Sequence, residues 1–113
     1  GRMVDGYVPE QGDPVWLDFN PQAGHEQRGR RPAVVLSKQA YNRKVGLAIF
    51  CPVTGKGKGY PFEVELSGGK IQGFVLSDQV KSLDWSERNI EFIEKCPEPV
   101  IDEVIAKLEL LIK

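Results

Sequence analysis

Histidine is nearly missing from this sequence, in which His25 is the single example among 113 residues. One histidine cannot supply a histidine acid–base pair or a multi-histidine metal site, so we expect no bound metal and no cofactor. The sequence also lacks a Gly-x-x-x-x-Gly-Lys phosphate-binding loop and a Gly-x-Ser-x-Gly nucleophile elbow. These absences argue against a metalloenzyme, a nucleotide hydrolase and a serine hydrolase.

Long apolar segments are missing as well. No run approaches the roughly 18 residues that a membrane-spanning helix requires, and no hydrophobic signal region opens the sequence. The two cysteines, Cys51 and Cys96, have neither a metal-binding spacing nor the pattern of a disulfide framework. We therefore expect a cytoplasmic protein with two free thiols and no membrane partner. Residues 1–113 are expected to form a single domain, in which Gly1 and Arg2 are an artificial extension before a native Met3.

Charge is unevenly distributed along the chain, although the formal net charge is only −1. Between Glu26 and Tyr60 eight Lys and Arg residues accompany a single acid, whereas from Pro61 onward eleven acids outnumber six bases. A chain whose basic residues are concentrated in one part can bind a polyanion there. A solvated basic surface is the other explanation, and the charge pattern alone does not decide between them.

Hydrophobic patterning predicts a mainly β protein. The segments with strand-like patterns are residues 13–19, 32–37, 46–53, 60–66, 73–80 and 89–94. Residues 41–44 are predicted to form a turn or a single helical turn. Only the tail has a helical period, because its apolar residues from Val100 to Ile112 fall on one face, with Pro97 and Pro99 marking the start. Together these elements predict a small β-barrel or strongly bent sheet with a C-terminal α-helix as a lid.

Two polar loops next to predicted strands carry the candidate chemistry. The first is predicted to run up to Arg31 and contains Glu26 and Arg28, while the second begins at Thr54 and contains Lys56. If the strands that flank these loops are antiparallel neighbours, Arg31 and Thr54 lie at the same edge of the sheet. Loops held by a rigid scaffold commonly carry function.

Ordinary roles remain open for each of these side chains. Arg31 could be a surface arginine, Thr54 could cap a turn through its hydroxyl, and Glu26 could be solvated. His25 could act as a base near neutral pH, although a single histidine in a loop more often faces solvent. Phe19, next to the first loop, could either pack in the core or stack on a nucleic-acid base.

Three ordered blocks of the sequence resemble one known family. The first comprises Gly12-Asp13-x-x-Trp16-x-Asp18-Phe19 and Gly24-x-Glu26-Gln27-x-Gly29-x-Arg31-Pro32-Ala33-Val34-Val35-Leu36-Ser37. The second is Pro52-x-Thr54 with Lys58-Gly59-Tyr60-Pro61-Phe62-Glu63-Val64, and the third is Ser77-Asp78-Gln79-Val80-Lys81-Ser82. Together they resemble the MazF/PemK toxins over nearly the whole chain. Val53 departs from the polar residue or cysteine that the family has there, and His25 is not a family feature.

The resemblance implies a fold, an activity and partners. It implies an SH3-like β-barrel with a C-terminal α-helix, assembled as a homodimer. It also implies a cognate antitoxin of the MazE kind, whose acidic disordered tail occupies the RNA groove. The implied activity is metal-independent, sequence-specific cleavage of single-stranded RNA, chiefly messenger RNA. Such cleavage leaves 2′,3′-cyclic phosphate and 5′-hydroxyl ends and arrests translation.

The resemblance also implies the residues of the site. Arg31 and Thr54 match the two catalytic positions of the family, where Arg31 suits clamping of a phosphate and Thr54 can donate a hydrogen bond to it. Glu26, the single acid of the basic stretch, is the candidate acceptor of the 2′-hydroxyl proton. The candidate RNA-binding residues are Asp18, Phe19, Arg28, Lys56, Asp78, Gln79 and Lys81.

Two other functions remain open at this point. A non-enzymatic toxin of related fold that binds DNA gyrase would not need the Arg31–Thr54 pair, so the pair with its surrounding motif favours the nuclease. A plain RNA-binding barrel would bind RNA without cutting it. In that case replacement of Arg31 by alanine would leave RNA binding largely intact, whereas in a nuclease it should abolish cleavage.

Overall fold

Strand pairing decides where each extended segment begins and ends. The computed structural model describes residues 6–19 and 29–113. Its strands are β1 (Pro14–Asp18), β2 (Arg30–Val35), β3 (Ala48–Thr54), β4 (Glu63–Leu66), β5 (Gly73–Leu76), β6 (Lys81–Leu83) and β7 (Glu91–Phe92). Its α-helices are α1 (Gln39–Val45) and α2 (Glu98–Ile112), and a short 3-10 turn, Trp85–Glu87, joins β6 to β7.

The strands pair antiparallel in the order β4-β5-β3-β2-β1-β7, and β6 also pairs with β3. One side of β3 faces β2, while β6 and then β5 occupy its other side. Pro52 lies where this second partner changes, between the last β6 rung at Phe50 and the first β5 rung at Val53. Proline has no N–H to donate, and no rung on that side requires one at this point. A proline is therefore accommodated inside the central strand.

Alternation of side chains along the strands builds two apolar clusters on opposite faces of the sheet. The buried members of one cluster are Val15, Leu17, Phe19, Ala33, Val35, Ala48, Phe50, Trp85 and Ile90. Those of the other are Val34, Leu36, Cys51, Val53, Val64, Leu66, Val75, Ile101 and Val104. Helix α2 closes the second cluster through Ile101 and Val104. Its predicted apolar face is buried only in part, because Leu111 and Ile112 in the last turn are 49% and 70% exposed.

The start of β2 differs from the sequence prediction. The predicted loop up to Arg31 is wrong at its end, because Asp18 pairs with Arg30 and Leu17 pairs with Arg31. Pairing with β1 outweighs the polar character of the two arginines. Proline after Arg31 contributes too, since the residue before a proline favours an extended backbone.

Two further boundaries were not predicted correctly. Residues 39–45 form a seven-residue α-helix rather than a turn or a single helical turn. Gly46 ends this helix in the left-handed region with a φ of 81°, and its N–H donates to the Asn42 carbonyl at 3.0 Å. The strand predicted to reach residue 80 ends at Leu76, because the Gln79 N–H turns back to the Leu76 carbonyl at 3.0 Å. The chain then resumes as β6, which pairs with β3.

The protein is mainly β, with an antiparallel sheet and a C-terminal helix. β4 and β7 stand at the two ends of the strand order, and within residues 6–19 and 29–113 no pairing joins them. The sheet is therefore not closed into a ring. Among the described helices, none has the length and apolar character needed to cross a membrane.

Candidate functional site

The register between β2 and β3 brings the two candidate catalytic residues together. Ala33 of β2 pairs with Pro52 of β3. This rung is the last one that pairs the two strands. If the same register is continued two residues further, Arg31, near the start of β2, falls opposite Thr54, the last residue of β3. Opposed residues of antiparallel strands present their side chains on the same face. The exposed Arg31 and the half-buried Thr54 therefore share one face at one edge of the sheet.

Thr54 is held in place from two sides. Its Oγ1 accepts a hydrogen bond from the Lys56 backbone N–H at 3.3 Å, which fixes the first turn of the loop after β3. On the other side Thr54 pairs with Phe74, and the adjacent Gly73 has a φ of 154° and no room for a Cβ against the Thr54 carbonyl. No described residue accepts the hydroxyl proton of Thr54. The hydroxyl can therefore still donate to a ligand.

Glu63, the first residue of β4, fixes the loop that follows Thr54. Its carboxylate accepts hydrogen bonds from the backbone N–H of Lys58 at 2.9 and 3.1 Å and from that of Gly59 at 3.1 Å. Lys107 of α2 donates to the carbonyl of Glu63 at 3.3 Å and to that of Pro61. The loop is thus connected to both the sheet and the helix, although its side chains from Lys56 to Tyr60 are exposed.

The neighbouring arginine, Arg30, points to the other face of β2. Its Nη1 forms an ion pair with Asp18 at 3.2 Å, and its Nη2 forms one with Glu91 at 3.1 Å. Asn89 donates to the second oxygen of Asp18 at 2.7 Å. This hydrogen bond, followed by the one from Arg30, keeps the pKa of Asp18 below its ordinary value. Successive side chains of a strand alternate in direction, so Arg31 is directed away from this cluster.

The candidates after β5 lie along the other side of β3. Asp78 and Gln79 are exposed in the turn between β5 and β6, and the partly exposed Lys81 opens β6 opposite Phe50. Phe50 is four residues from Thr54 in β3, or about 13 Å at the usual rise of a strand. An extended ligand of a few units could reach both positions.

One predicted RNA-binding residue is placed elsewhere. Phe19 is fully buried, and it belongs to the same apolar cluster as Leu17 and Phe50. The inward alternation of β1 continues to Phe19, so its ring has no free face on which a base could stack, and that prediction is wrong. The candidates Glu26 and Arg28, together with His25, lie outside the described residues.

The two cysteines, Cys51 and Cys96, do not provide a reactive thiol. Burial raises the pKa of the Cys51 thiol to about 12, and the nearby charge of Asp78 adds to the effect. Burial also raises the pKa of Cys96 to about 11, so both thiols are neutral at physiological pH. Both cysteines are free. In the part of the chain that the structure describes, no three His, Cys, Asp or Glu side chains are grouped as metal ligands would be.

The described arrangement suits binding of an anion that becomes more highly charged during a reaction. The positively charged guanidinium of Arg31 can form two parallel hydrogen bonds to phosphate oxygens. The hydroxyl of Thr54 can add a third hydrogen bond from the same face. Neither group is a suitable acceptor of a proton, so a base has to come from another residue.

Sequence reasoning missed two residues that shape this site, Asn89 and Glu63. Asn89 is separated from Asp18 by 71 positions, so no local pattern reveals their contact. The one signal at Asn89 is its residue type, because asparagine tolerates the left-handed backbone that it adopts here with a φ of 51°. Glu63 reads in the sequence as the polar residue of an alternating strand, which conceals its role as acceptor for the preceding loop.

The chain matches one family of known proteins. Residues 10–112 match the family described as PemK-like, MazF-like toxin of type II toxin-antitoxin system. The chain belongs to this family. The match confirms the resemblance seen in the three sequence blocks, and it covers nearly the whole chain of this PemK/MazF-like toxin.

Relatives of this PemK/MazF-like toxin agree in sequence and in fold. The endoribonuclease toxin MazF of Escherichia coli (strain K12) is 55% identical over 86 residues, which cover 76% of this chain and 78% of the relative. The crystal structure of MazF from Deinococcus radiodurans has a TM-score of 0.89 and 54% identity, covering 93% and 96% of the two chains. MazF in a MazE–MazF complex from the same organism has a TM-score of 0.83 at 47% identity, covering 93% and 95%. The name of the first relative favours a nuclease over a gyrase-binding toxin.

Proposed function

We propose that this toxin cuts single-stranded RNA without a metal, at the sheet edge where Arg31 lies opposite Thr54. The observation that carries the proposal is this shared face of a permanent cation and a hydroxyl with an available proton. The endoribonuclease relatives supply the class of reaction. The basic stretch between Glu26 and Tyr60 supplies the attraction for a polyanion.

The proposed nucleophile is the 2′-oxygen of the RNA itself. It attacks the adjacent phosphorus while the bond from phosphorus to O5′ breaks, which leaves a 2′,3′-cyclic phosphate and a 5′-hydroxyl. The 2′-proton passes to a base, and a proton is delivered to O5′. Arg31 and Thr54 donate hydrogen bonds to the oxygens on which charge grows in the transition state. Glu26 is proposed as the base from the sequence alone.

The RNA is proposed to extend from this edge along β3 toward β6. Lys56 and Lys81 provide positive charge, while Asp78 and Gln79 offer groups that can hydrogen-bond to the edges of unpaired bases. The RNA-binding residues proposed are Asp18, Arg28, Lys56, Asp78, Gln79 and Lys81. Of these, Arg28 rests on the sequence alone, and Asp18 retains a side chain that is 32% exposed.

The proposal includes the assembly and the location of the toxin. The MazE–MazF neighbour supports a MazE-like antitoxin as a partner. The resemblance to the family adds the proposal that an acidic tail of this antitoxin competes with RNA for the basic edge. We infer one toxin domain over residues 1–113, of the SH3-like barrel type, in the cytoplasm. A homodimer is part of the proposal, and the exposed end of α2 at Leu110, Leu111 and Ile112 supports it because an interface would bury these side chains.

The test is incubation of the purified toxin with a long single-stranded RNA in EDTA, followed by analysis of the fragment ends. We expect discrete fragments with 5′-hydroxyl and 2′,3′-cyclic phosphate ends. A matched RNA with a 2′-deoxy sugar at the cleaved position should resist cleavage, because it lacks the nucleophile. Intact RNA with a folded, antitoxin-free toxin would overturn the proposal. RNA that is bound but uncut would point to the plain RNA-binding barrel.

A further inference from the structure

The end of β1 is held both by the start of β2 and by the segment between β6 and β7, which is distant in the sequence. The Phe19 N–H donates to the Gly29 carbonyl at 2.9 Å, which closes the hairpin of β1 and β2. Next to it, the Asp18 N–H donates to the Arg88 carbonyl at 3.0 Å, and Arg88 Nη1 donates back to the Asp18 carbonyl at 3.1 Å. The backbone of Asp18 is therefore fixed by the segment between β6 and β7.

The side chain of Asp18 is fixed by the same connection. Asp18 and Arg30 form the last rung of β1 and β2, and their side chains form an ion pair at 3.2 Å. Asn89 donates to the remaining carboxylate oxygen at 2.7 Å, and Glu91 pairs with the other end of the Arg30 guanidinium at 3.1 Å. Each partner thus limits the movement of Arg30, the residue immediately before Arg31.

Asn89 combines two properties that few residues share. Its backbone is in the left-handed region with a φ of 51°, which asparagine tolerates far better than most residues. Its amide nitrogen also donates to a carboxylate, a contact that glycine, the usual residue for that conformation, cannot make. If only the left-handed backbone were needed at this position, glycine would be sufficient. The presence of asparagine indicates that its hydrogen bond to Asp18 is needed as well.

We propose that Asn89 is a positioning residue for RNA cleavage, because through Asp18 and Arg30 it fixes the end of β2 from which Arg31 faces Thr54. This inference rests on the proposed nuclease function. Asn89 itself touches neither the phosphate nor the base. Its contribution is to keep the Arg31 guanidinium aligned with the Thr54 hydroxyl, and alignment of this kind matters in the transition state more than in RNA binding.

The decisive variant is Asn89→Gly, which tolerates the same left-handed backbone and removes the side chain with its amide. We expect kcat to fall at least about tenfold, since a misplacement of about 1 Å can cost as much as a hundredfold. KM for RNA should change less than about twofold, because every side chain proposed to bind RNA, Asp18 included, is still present. The control is Glu10→Gln, which removes a different exposed contact, the ion pair between Glu10 and Lys95 at 3.5 Å, and should keep wild-type kcat. Wild-type kcat in Asn89→Gly would overturn the inference.

A second variant, Asn89→Asp, adds a readout that a loss of stability would not produce. It places a second carboxyl against Asp18, near the charges of Arg30, Arg88 and Glu91. Two ionised carboxylates repel each other, whereas one shared proton restores a hydrogen bond between them. Its kcat relative to the wild type at the same pH should therefore rise as the pH is lowered. A ratio that does not change with pH would contradict the proposal.

Amide hydrogen exchange separates failure of this inference from failure of the proposed function. In Asn89→Gly the amides of Asp18 and Phe19 should exchange faster than in the wild type, whether or not RNA is cut. Unchanged protection of both amides would overturn the positioning role. Absence of RNA cleavage by the wild type would instead overturn the nuclease proposal, and the exchange measurement would still decide whether Asn89 fixes the end of the hairpin.

Discussion

At the scale of single residues, Thr54 combines a structural and a chemical task in one hydroxyl. Its oxygen accepts the Lys56 N–H at 3.3 Å, while its proton is available to a ligand. The sequence alone leaves the turn-capping role and the catalytic role as alternatives, yet the structure shows that the first does not exclude the second. Its place at the same sheet edge as Arg31 could be predicted from the order of the strands, because the two residues lie near the adjoining ends of neighbouring antiparallel strands. The burial of Phe19 could not, since its place beside a polar loop conceals that β1 still alternates inward there.

Substitutions of Thr54 should separate these two tasks. Thr54→Ser keeps the hydroxyl and should retain the cleavage rate within about tenfold. Thr54→Val keeps the branched shape and removes the donor, and should lower the rate by about a hundredfold or more, as removal of a transition-state hydrogen-bond donor does elsewhere. Single-turnover cleavage of one RNA oligonucleotide measures both. A Thr54→Val variant as fast as Thr54→Ser would show that the hydroxyl does not act on the phosphate.

At the scale of elements, the conformation of the loop between β3 and β4 depends on its packing against Phe74 of β5. A Cβ at Gly57 would lie 2.8 Å from the ring of Phe74, the residue that pairs with Thr54. The sequence shows a loop with three glycines and two lysines, but it does not show which glycine has a close neighbour. The strands themselves follow from apolar alternation, whereas β6 and the start of β2 depend on partners distant in the chain.

Two glycines of this loop provide a matched comparison. Gly57→Ala forces the Phe74 ring or the loop to move, which should cost about 1–3 kcal/mol of the free energy of unfolding. A Cβ at Gly55 meets no heavy atom within 4 Å, so Gly55→Ala should be neutral or stabilising. Urea unfolding monitored by circular dichroism gives both values. Equal midpoints for the two variants would contradict the close packing of the loop on β5.

At the scale of the whole molecule, the small net charge of −1 conceals an uneven distribution of basic and acidic residues along the chain. The basic stretch contributes Arg31 and Lys56 to the edge that ends in Thr54, whereas its members in α1 lie at the other end of the β2–β3 hairpin. The acidic residues lie mainly in the later part of the chain. Some acids are structural, because Asp18, Glu63 and Glu91 hold arginine side chains or loop amides in place. The asymmetry predicts where a polyanion binds, but only the fold distinguishes structural acids from solvated ones.

The structural acids make stability dependent on pH. The hydrogen bond from Asn89 lowers the pKa of Asp18, and the one from Arg88 lowers that of Asp84. A carboxyl with a lowered pKa in the folded state stabilises the fold fully above its unfolded-state pKa, and the stabilisation is lost as pH falls through the folded-state value. Unfolding free energy should therefore decrease below about pH 4, and decrease less in Asp18→Asn. The same acid dependence in both proteins would contradict the role of Asp18 as an ionised anchor.

The proposed action of Arg31 on RNA, from the sheet edge opposite Thr54, can be tested directly by a comparison of three proteins in EDTA. We would measure single-turnover cleavage of a single-stranded RNA by the wild type, by Arg31→Ala and by Arg43→Ala, which removes an exposed arginine of α1 at the other end of the β2–β3 hairpin. We expect Arg31→Ala to lose on the order of a hundredfold or more in rate and Arg43→Ala to cleave like the wild type. Equal rates for Arg31→Ala and the wild type would contradict the proposed action of Arg31.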